Sequence, residues 1–157
     1  MKKLALALFI AFVALSTSSS AQIGVGIGSH GLSIKTNPDA KTGLIIRTGF
    51  GIHSNPLTTY IRPEAAWIKR HHYSEKTKLY AGIGIASEMR LGISELAMGY
   101  GVMVPIGLEL FPTESKKLSV SLETGINFMS ASYADTKFGN YGLIEISFYL
   151  QDRELAY

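Results

Sequence analysis

The chain has 157 residues, enough for one domain and short for two. It has no cysteine, which excludes a disulfide framework, a thiolate nucleophile and a cysteine-ligated metal. Charged residues make up 17%, below the roughly 25% of ordinary soluble domains, and of the 15 basic residues Lys2 and Lys3 sit in a leader, leaving 13 against 12 acidic and no electrostatic footprint for nucleic acid.

Residues 1–21 read as a cleaved secretory signal peptide. Lys2 and Lys3 form its positive start, and Leu4 to Leu15 is an apolar run too short to cross a bilayer as a helix. Ser16 to Ser20 is small and polar, and Ser19 and Ala21 provide the small residues that cleavage after Ala21 requires. Residues 22–157 then form one exported domain.

Period-two alternation runs through that domain and no helical period is sustained. From Gln22, Ile23, Val25 and Ile27 alternate with Gly24, Gly26 and Gly28. Over 42–52, Leu44, Ile46, Thr48, Phe50 and Ile52 oppose Ile45, Arg47, Gly49 and Gly51. Over 58–70, Ile61, Pro63, Ala65 and Trp67 oppose Tyr60, Arg62, Glu64 and Ala66. Over 79–90, Leu79, Ala81, Ile83 and Ile85 oppose Tyr80, Gly82, Gly84, Ala86, Glu88 and Arg90. Over 95–111 one face runs from Leu96 through Val102 and Val104 to Leu110, and the other from Ala97 through Gly101 and Pro105 to Glu109. Leu118 to Phe128 has Thr124 as the one break in its apolar face. Over 141–150, Gly142, Ile144, Ile146, Phe148 and Leu150 oppose Leu143, Glu145, Ser147 and Tyr149.

Breakers separate the runs: Asn37-Pro38-Asp39, Ser54-Asn55-Pro56, Ser74-Glu75-Lys76, Arg90-Leu91-Gly92 and Pro112-Thr113-Glu114-Ser115. Ser130 to Gly139 reads as the longest loop. This gives seven strand regions, whereas single-chain bacterial barrels have an even number. Dividing 22–36 at Ser29-His30-Gly31 gives eight, with two halves of about seven residues, shorter than the usual 9–11. The alternative is an odd or incompletely closed barrel. If 130–139 is extracellular, counting back places the 71–77 turn in the periplasm.

Alternation alone fits a soluble barrel with an apolar cavity or a membrane barrel with an apolar exterior. Three features favour the membrane. The non-apolar faces are rich in glycine, serine and alanine. The strand charges Arg47, Arg62, Glu64, Glu88, Glu109, Glu123 and Glu145 lie on those faces, and a charge facing lipid at mid-bilayer costs about 2–4 kcal/mol. Phe50, Trp67, Tyr80, Phe111, Phe128 and Tyr141 stand near the ends of runs, as interfacial girdles would.

On the leader ending at Ala21, the run Val104 to Phe111, the segment Leu118 to Phe128 and the strand Tyr141 to Leu150, the domain resembles the small bacterial outer-membrane β-barrel proteins, the porin-like or OmpX-like group. The resemblance implies an all-β, up-and-down antiparallel transmembrane β-barrel of eight strands. It also implies an outer-membrane location, and outer-membrane lipids and the barrel-assembly machinery as partners. Members usually end on an aromatic in the last strand. Here Gln151 to Tyr157 follow Leu150, so that tail hangs free or Tyr157 takes the terminal role.

Chemistry-bearing groups are few. His72 and Ser74 have the His-x-Ser spacing of outer-membrane lipid A deacylases, which resemble small barrels, and Glu88 could orient the histidine. The asparagine that follows the pair in those enzymes is Glu75 here, and a polar turn explains the segment. His53-Ser54-Asn55 reads as a solvated loop. Adjacent His71 and His72 point to opposite faces of a strand and cannot share a metal. Gly24-x-Gly26-x-Gly28 lies inside a strand, so it is no dinucleotide fingerprint. The expectation is therefore a non-enzymatic barrel with a structural or surface-interaction role. Paired charges plug its lumen, since an eight-stranded interior is just wide enough for side chains to fill, and it has no catalytic residue, cofactor or metal. The alternatives are a lipid-modifying hydrolase using His72 and Ser74, and a soluble periplasmic barrel holding an apolar ligand.

Overall fold

The computed structural model describes residues 22–36, 38–54, 57–91, 96–113, 116–131 and 134–150. The predicted leader 1–21 and the tail Gln151 to Tyr157 lie outside the described residues. Eight strands run in order: β1 (Ile23–Gly28), β2 (Gly31–Thr36), β3 (Thr42–Ser54), β4 (Leu57–Ser74), β5 (Thr77–Leu91), β6 (Leu96–Leu110), β7 (Leu118–Ala131) and β8 (Ala134–Leu150). Each pairs antiparallel with its chain neighbour, and β1 pairs with β8 to close the barrel.

The eighth strand comes from the division at Ser29-His30. Gly28 pairs with Gly31 across this two-residue turn. Gly31 has φ +116°, which a side chain would not tolerate, and a Cβ there would meet the Thr48 carbonyl. An even strand count puts Gln22 and Leu150 at one end, here called proximal, with the connections 37–41, 75–76 and 111–117. The distal end carries 29–30, 55–56, 92–95 and 132–133.

At three places the strands run on where the sequence suggests loops. The stretch 130–139 is mostly strand: β7 runs to Ala131, β8 starts at Ala134, and Phe128 pairs with Phe138. Apolar alternation fades there, but ladder pairing is a backbone property and continues without it. No long loop at 130–139 therefore marks that end of the barrel as extracellular. Likewise His71 to Ser74 belong to β4 and His53 and Ser54 to β3, so only Glu75-Lys76 forms the β4–β5 turn.

The wall has the polarity read from the alternation. Outward side chains are large and apolar and stand in the open, with Ile83 64% exposed, Ile85 66% and Ile144 59%. Inward positions hold small, aromatic and charged residues, with Lys35, Arg47, Glu64, Glu109, Glu123 and Glu145 all buried, together with a few aliphatic ones, Ile45, Ile68, Met103 and Leu143. Of the six aromatics expected in girdles, Phe50, Trp67 and Phe128 point outward, joined by Tyr100, Phe138 and Phe148. Tyr80 and Phe111 are buried inside and Tyr141 is half-buried there. Their parity along the strand overrides their nearness to its end.

Candidate functional site

The chemistry of this molecule is inside the barrel, in layers stacked from the proximal end. At the base, Lys78 on β5 donates to the Pro38 carbonyl (2.7 Å) and to Asp39 Oδ1 (2.8 Å), and its ammonium stands 4.7 Å from the Phe111 ring centroid. Lys116 reaches the same Asp39 oxygen at 2.8 Å. Partial burial pushes the Asp39 carboxyl up, but the hydrogen bonds from Lys116 and Lys78 outweigh it and hold the group below the usual aspartate range. Arg70 donates to the carbonyls of Thr36 (3.1 Å) and Ala40 (3.4 Å), tying β4 to the β2–β3 turn.

The next layer centres on Lys35. Its ammonium lies 2.7 Å from Glu145 and 3.6 Å from Glu109, and donates to Ser121 at 2.8 Å. Glu109 accepts from Ser119 (2.9 Å) and from the Tyr149 hydroxyl (2.7 Å), and Glu145 accepts from Ser147 (2.6 Å). Above it, Glu123 accepts from both terminal nitrogens of Arg47, from Tyr80 (2.6 Å) and from Tyr141 (2.9 Å). Four donors on one buried carboxylate satisfy it as an anion.

Glycines make room for these two layers. Each of the three hydroxyl-donating tyrosines lies against a glycine directly opposite it on the neighbouring strand: Tyr149 on Gly24, Tyr80 on Gly107 and Tyr141 on Gly125. A Cβ at Gly107 would come within 2.3 Å of the Tyr80 ring, and one at Gly24 within 2.6 Å of Tyr149. The repeated small residues of the sequence are thus seats for inward rings.

Above that layer lies a cluster of Arg62, Glu64 and His30. Arg62 Nε stands 2.8 Å from Glu64 Oε1, an ion pair out of hydrogen-bond alignment. Glu64 also lies 3.6 Å from Arg47 and 3.7 Å from His30 Nε2. Arg62 Nη2 is buried and makes no hydrogen bond among the described residues. Nearer the distal rim, Arg90 Nε donates to Glu88 at 2.6 Å.

The hydrolase arrangement is not brought together. His72 and Ser74 are exposed at the proximal end, and the ladder shifts register between them. Glu88 lies ten residues along β5 from Lys78, the residue opposite His72, which is roughly 33 Å of strand. Sequence reasoning singled out neither Lys35, Arg70 and Lys78 nor the glycine seats. The signal for the cations was parity: Lys35 follows Ser33, Arg70 follows Ala66 and Ile68, and Lys78 precedes Tyr80 on the inward face.

Fold and polarity define the class: a closed, eight-stranded, up-and-down antiparallel barrel with an apolar exterior and a charge-bearing interior. The chain is similar to two solved structures from Acinetobacter baumannii. One is CarO2, with 13% identity and a TM-score of 0.40 over 83% of this chain and 98% of that one. The other is CarO, with 10% identity and a TM-score of 0.40 over 84% and 98%. No family model matches the chain, and no curated protein matches it.

Proposed function

We propose that this is an integral barrel of the bacterial outer membrane with a structural or surface-interaction role, no catalysis, and a lumen closed by its own side chains. The observation that carries the reading is the polarity of the wall. Ile23, Ile83, Ile106, Leu122, Ile144 and Phe148 face out, while Lys35, Arg47, Glu109, Glu123 and Glu145 are buried within. Water would favour the reverse arrangement; lipid favours this one, because each charge moved to the outer face at mid-bilayer costs about 2–4 kcal/mol. The closed lumen is supported by the layers of paired charges and by the Phe111 ring, 1% exposed at the base. Outer-membrane lipids fit the apolar wall, and the barrel-assembly machinery would insert it.

The test is fractionation of cells making the protein, gel mobility with and without boiling, and conductance in a planar bilayer. The expected result is outer-membrane protein with a heat-dependent mobility shift and no steady open-pore current. Release by salt or carbonate with no shift would contradict the membrane reading and turn the apolar faces into cavity walls. A steady current would contradict the closed lumen.

A further inference from the structure

The β1–β2 hairpin is much shorter than its neighbours, with six residues in each strand against thirteen in β3 and seventeen in β8. Its turn ends level with Ile144, whose carbonyl accepts from Ser29 N at 2.9 Å, and with Thr48, opposite Leu32. Beyond it, Ala134 to Leu143 of β8 pair only with β7, and Gly49 to Ser54 of β3 pair only with β4, among the described residues. Alternate residues along both edges turn their N–H and C=O groups toward the gap. The ladder gives the tilt of the wall around it. A row followed from Gly24 and Lys35 through Ala66 and Met103 reaches Gly139, ten residues distal of Tyr149, the β8 partner of Gly24. A stagger of that size over eight strands tilts them by about 40°.

At that tilt the apolar wall is of unequal height. On β6 every outward side chain from Leu110 to Met98 is apolar or aromatic, a rise of roughly 30 Å. On β8 the outward apolar run from Leu150 ends at Ile144, a rise of roughly 15 Å. Gly142 and Asn140 follow it, both exposed. The hairpin between β8 and β3 carries Ile23, Val25, Ile27, Leu32 and Ile34 outward and stops at the same level. The outward aromatics Phe50, Tyr100, Phe128 and Phe138 stand above that level, as an interfacial girdle does, so the gap lies beneath the girdle. The apolar band of a membrane barrel is about 25 Å tall, and along β8, β1 and β2 it falls short by about 10 Å.

We propose that the bilayer is locally thinned along this seam: lipid head groups and their water descend to Ser29-His30 and hydrogen-bond the bare edges of β3 and β8. The partner of the seam is thus a polar lipid surface. Backbone N–H and C=O groups left in hydrocarbon are so costly that only helices and closed sheets cross it, and acyl chains offer them no partner. Thinning the bilayer by about 10 Å carries a modest cost for each ångström of mismatch, which a few satisfied edge groups outweigh. The outer face of the β8 flank agrees. Asn140 and Thr136 are exposed polar side chains, and Gly142 leaves its backbone uncovered. The inference rests on the membrane placement proposed above.

The experiment uses the full-length mature protein in dioleoylphosphatidylcholine vesicles carrying a nitroxide either on the head group or at mid-chain. Gly142→Cys and Val104→Cys bear the same fluorophore. A Cβ at Gly142 would meet only the Glu123 carbonyl, at 3.8 Å, so the first variant fits the wall. The two positions face outward at one height: Asn140 shares a ladder row with Ile126 and Val104, and the two residues down β8 to Gly142 offset the climb of that row. The expected result is a fluorophore at 142 that reads about 10 Å shallower than one at 104, quenched from the head group where 104 is quenched from mid-chain. In dilauroylphosphatidylcholine the difference narrows, because the thinner bilayer already matches the seam. Equal depths at the two positions, or a difference unchanged in the thinner bilayer, overturn the proposal. Shielding of 142 from both nitroxides also overturns it, since polypeptide then covers the edges. A fluorophore at 104 beyond the reach of both nitroxides, or a protein with no heat-dependent mobility shift, fails the membrane reading itself and this proposal with it.

Discussion

The proximal and distal halves of the barrel are built from the same alternating strands, yet they solve different problems. Proximally the wall is complete and the lumen is filled: Lys35, Glu109, Glu145, Arg47 and Glu123 interlock with three tyrosines, and Phe111 sits under them. Distally the wall loses two strands above Ser29-His30, and the inward polar groups thin to Arg62, Glu64 and His30 and to the Glu88–Arg90 pair. The proximal half is where side chains specify the barrel. The distal cluster includes a buried guanidinium nitrogen, Arg62 Nη2, that makes no hydrogen bond among the described residues.

If that contrast is right, substitutions should cost far more below the hairpin tip than above it. The largest expected effect is Glu123→Leu, which strands the Arg47 guanidinium and two tyrosine hydroxyls in the lumen. Breaking a buried network in this way costs about 3–5 kcal/mol, read as a lowered midpoint of urea unfolding in lipid vesicles. Next is Gly107→Val, which drives side-chain atoms into the Tyr80 ring and lifts its hydroxyl from Glu123, at about 1–3 kcal/mol by the same measurement. Glu88→Gln at the distal rim should fall below about 1 kcal/mol, because its partner Arg90 is partly exposed; a loss as large as that of Glu123→Leu would erase the contrast. The smallest effect is at the proximal turn. Asp39 has a lowered carboxyl pKa, so its contribution is complete above the unfolded-state value of about 4 and is lost as the pH falls through its lower folded value. The group is half exposed, so the loss stays under about 1 kcal/mol, and Asp39→Asn should abolish that acid-dependent part of the unfolding midpoint.

The wall was readable from the chain because an apolar exterior and a narrow lumen sort residues so strictly. Ile83, Ile85 and Val102 could only face one way, and Gly84, Gly101 and Glu109 only the other. The short first hairpin was readable from Ser29-His30-Gly31 once strand parity demanded another turn. Strand ends were less legible. Ala134 to Gly139 and His71 to Ser74 lie where apolar alternation fades, and ladder pairing carries the strands onward without it. The lumen network was the least legible. Glu123 takes its donors from positions 76, 43 and 18 residues away, and which strands meet across the lumen is set by the stagger of the closed barrel. No local pattern encodes that stagger.

The account turns on which face of each strand meets lipid, and β6 offers the cleanest reading because the chain has no native cysteine to interfere. Single variants Val102→Cys, Met103→Cys, Val104→Cys and Ile106→Cys, each carrying an environment-sensitive fluorophore, would be inserted into vesicles containing nitroxide-labelled lipid. The account predicts strong quenching at 102, 104 and 106 and little at 103, which points into the buried lumen. Quenching at 103 with protection at 102, 104 and 106 would mean that the apolar face lines a cavity and that the barrel has been read inside out.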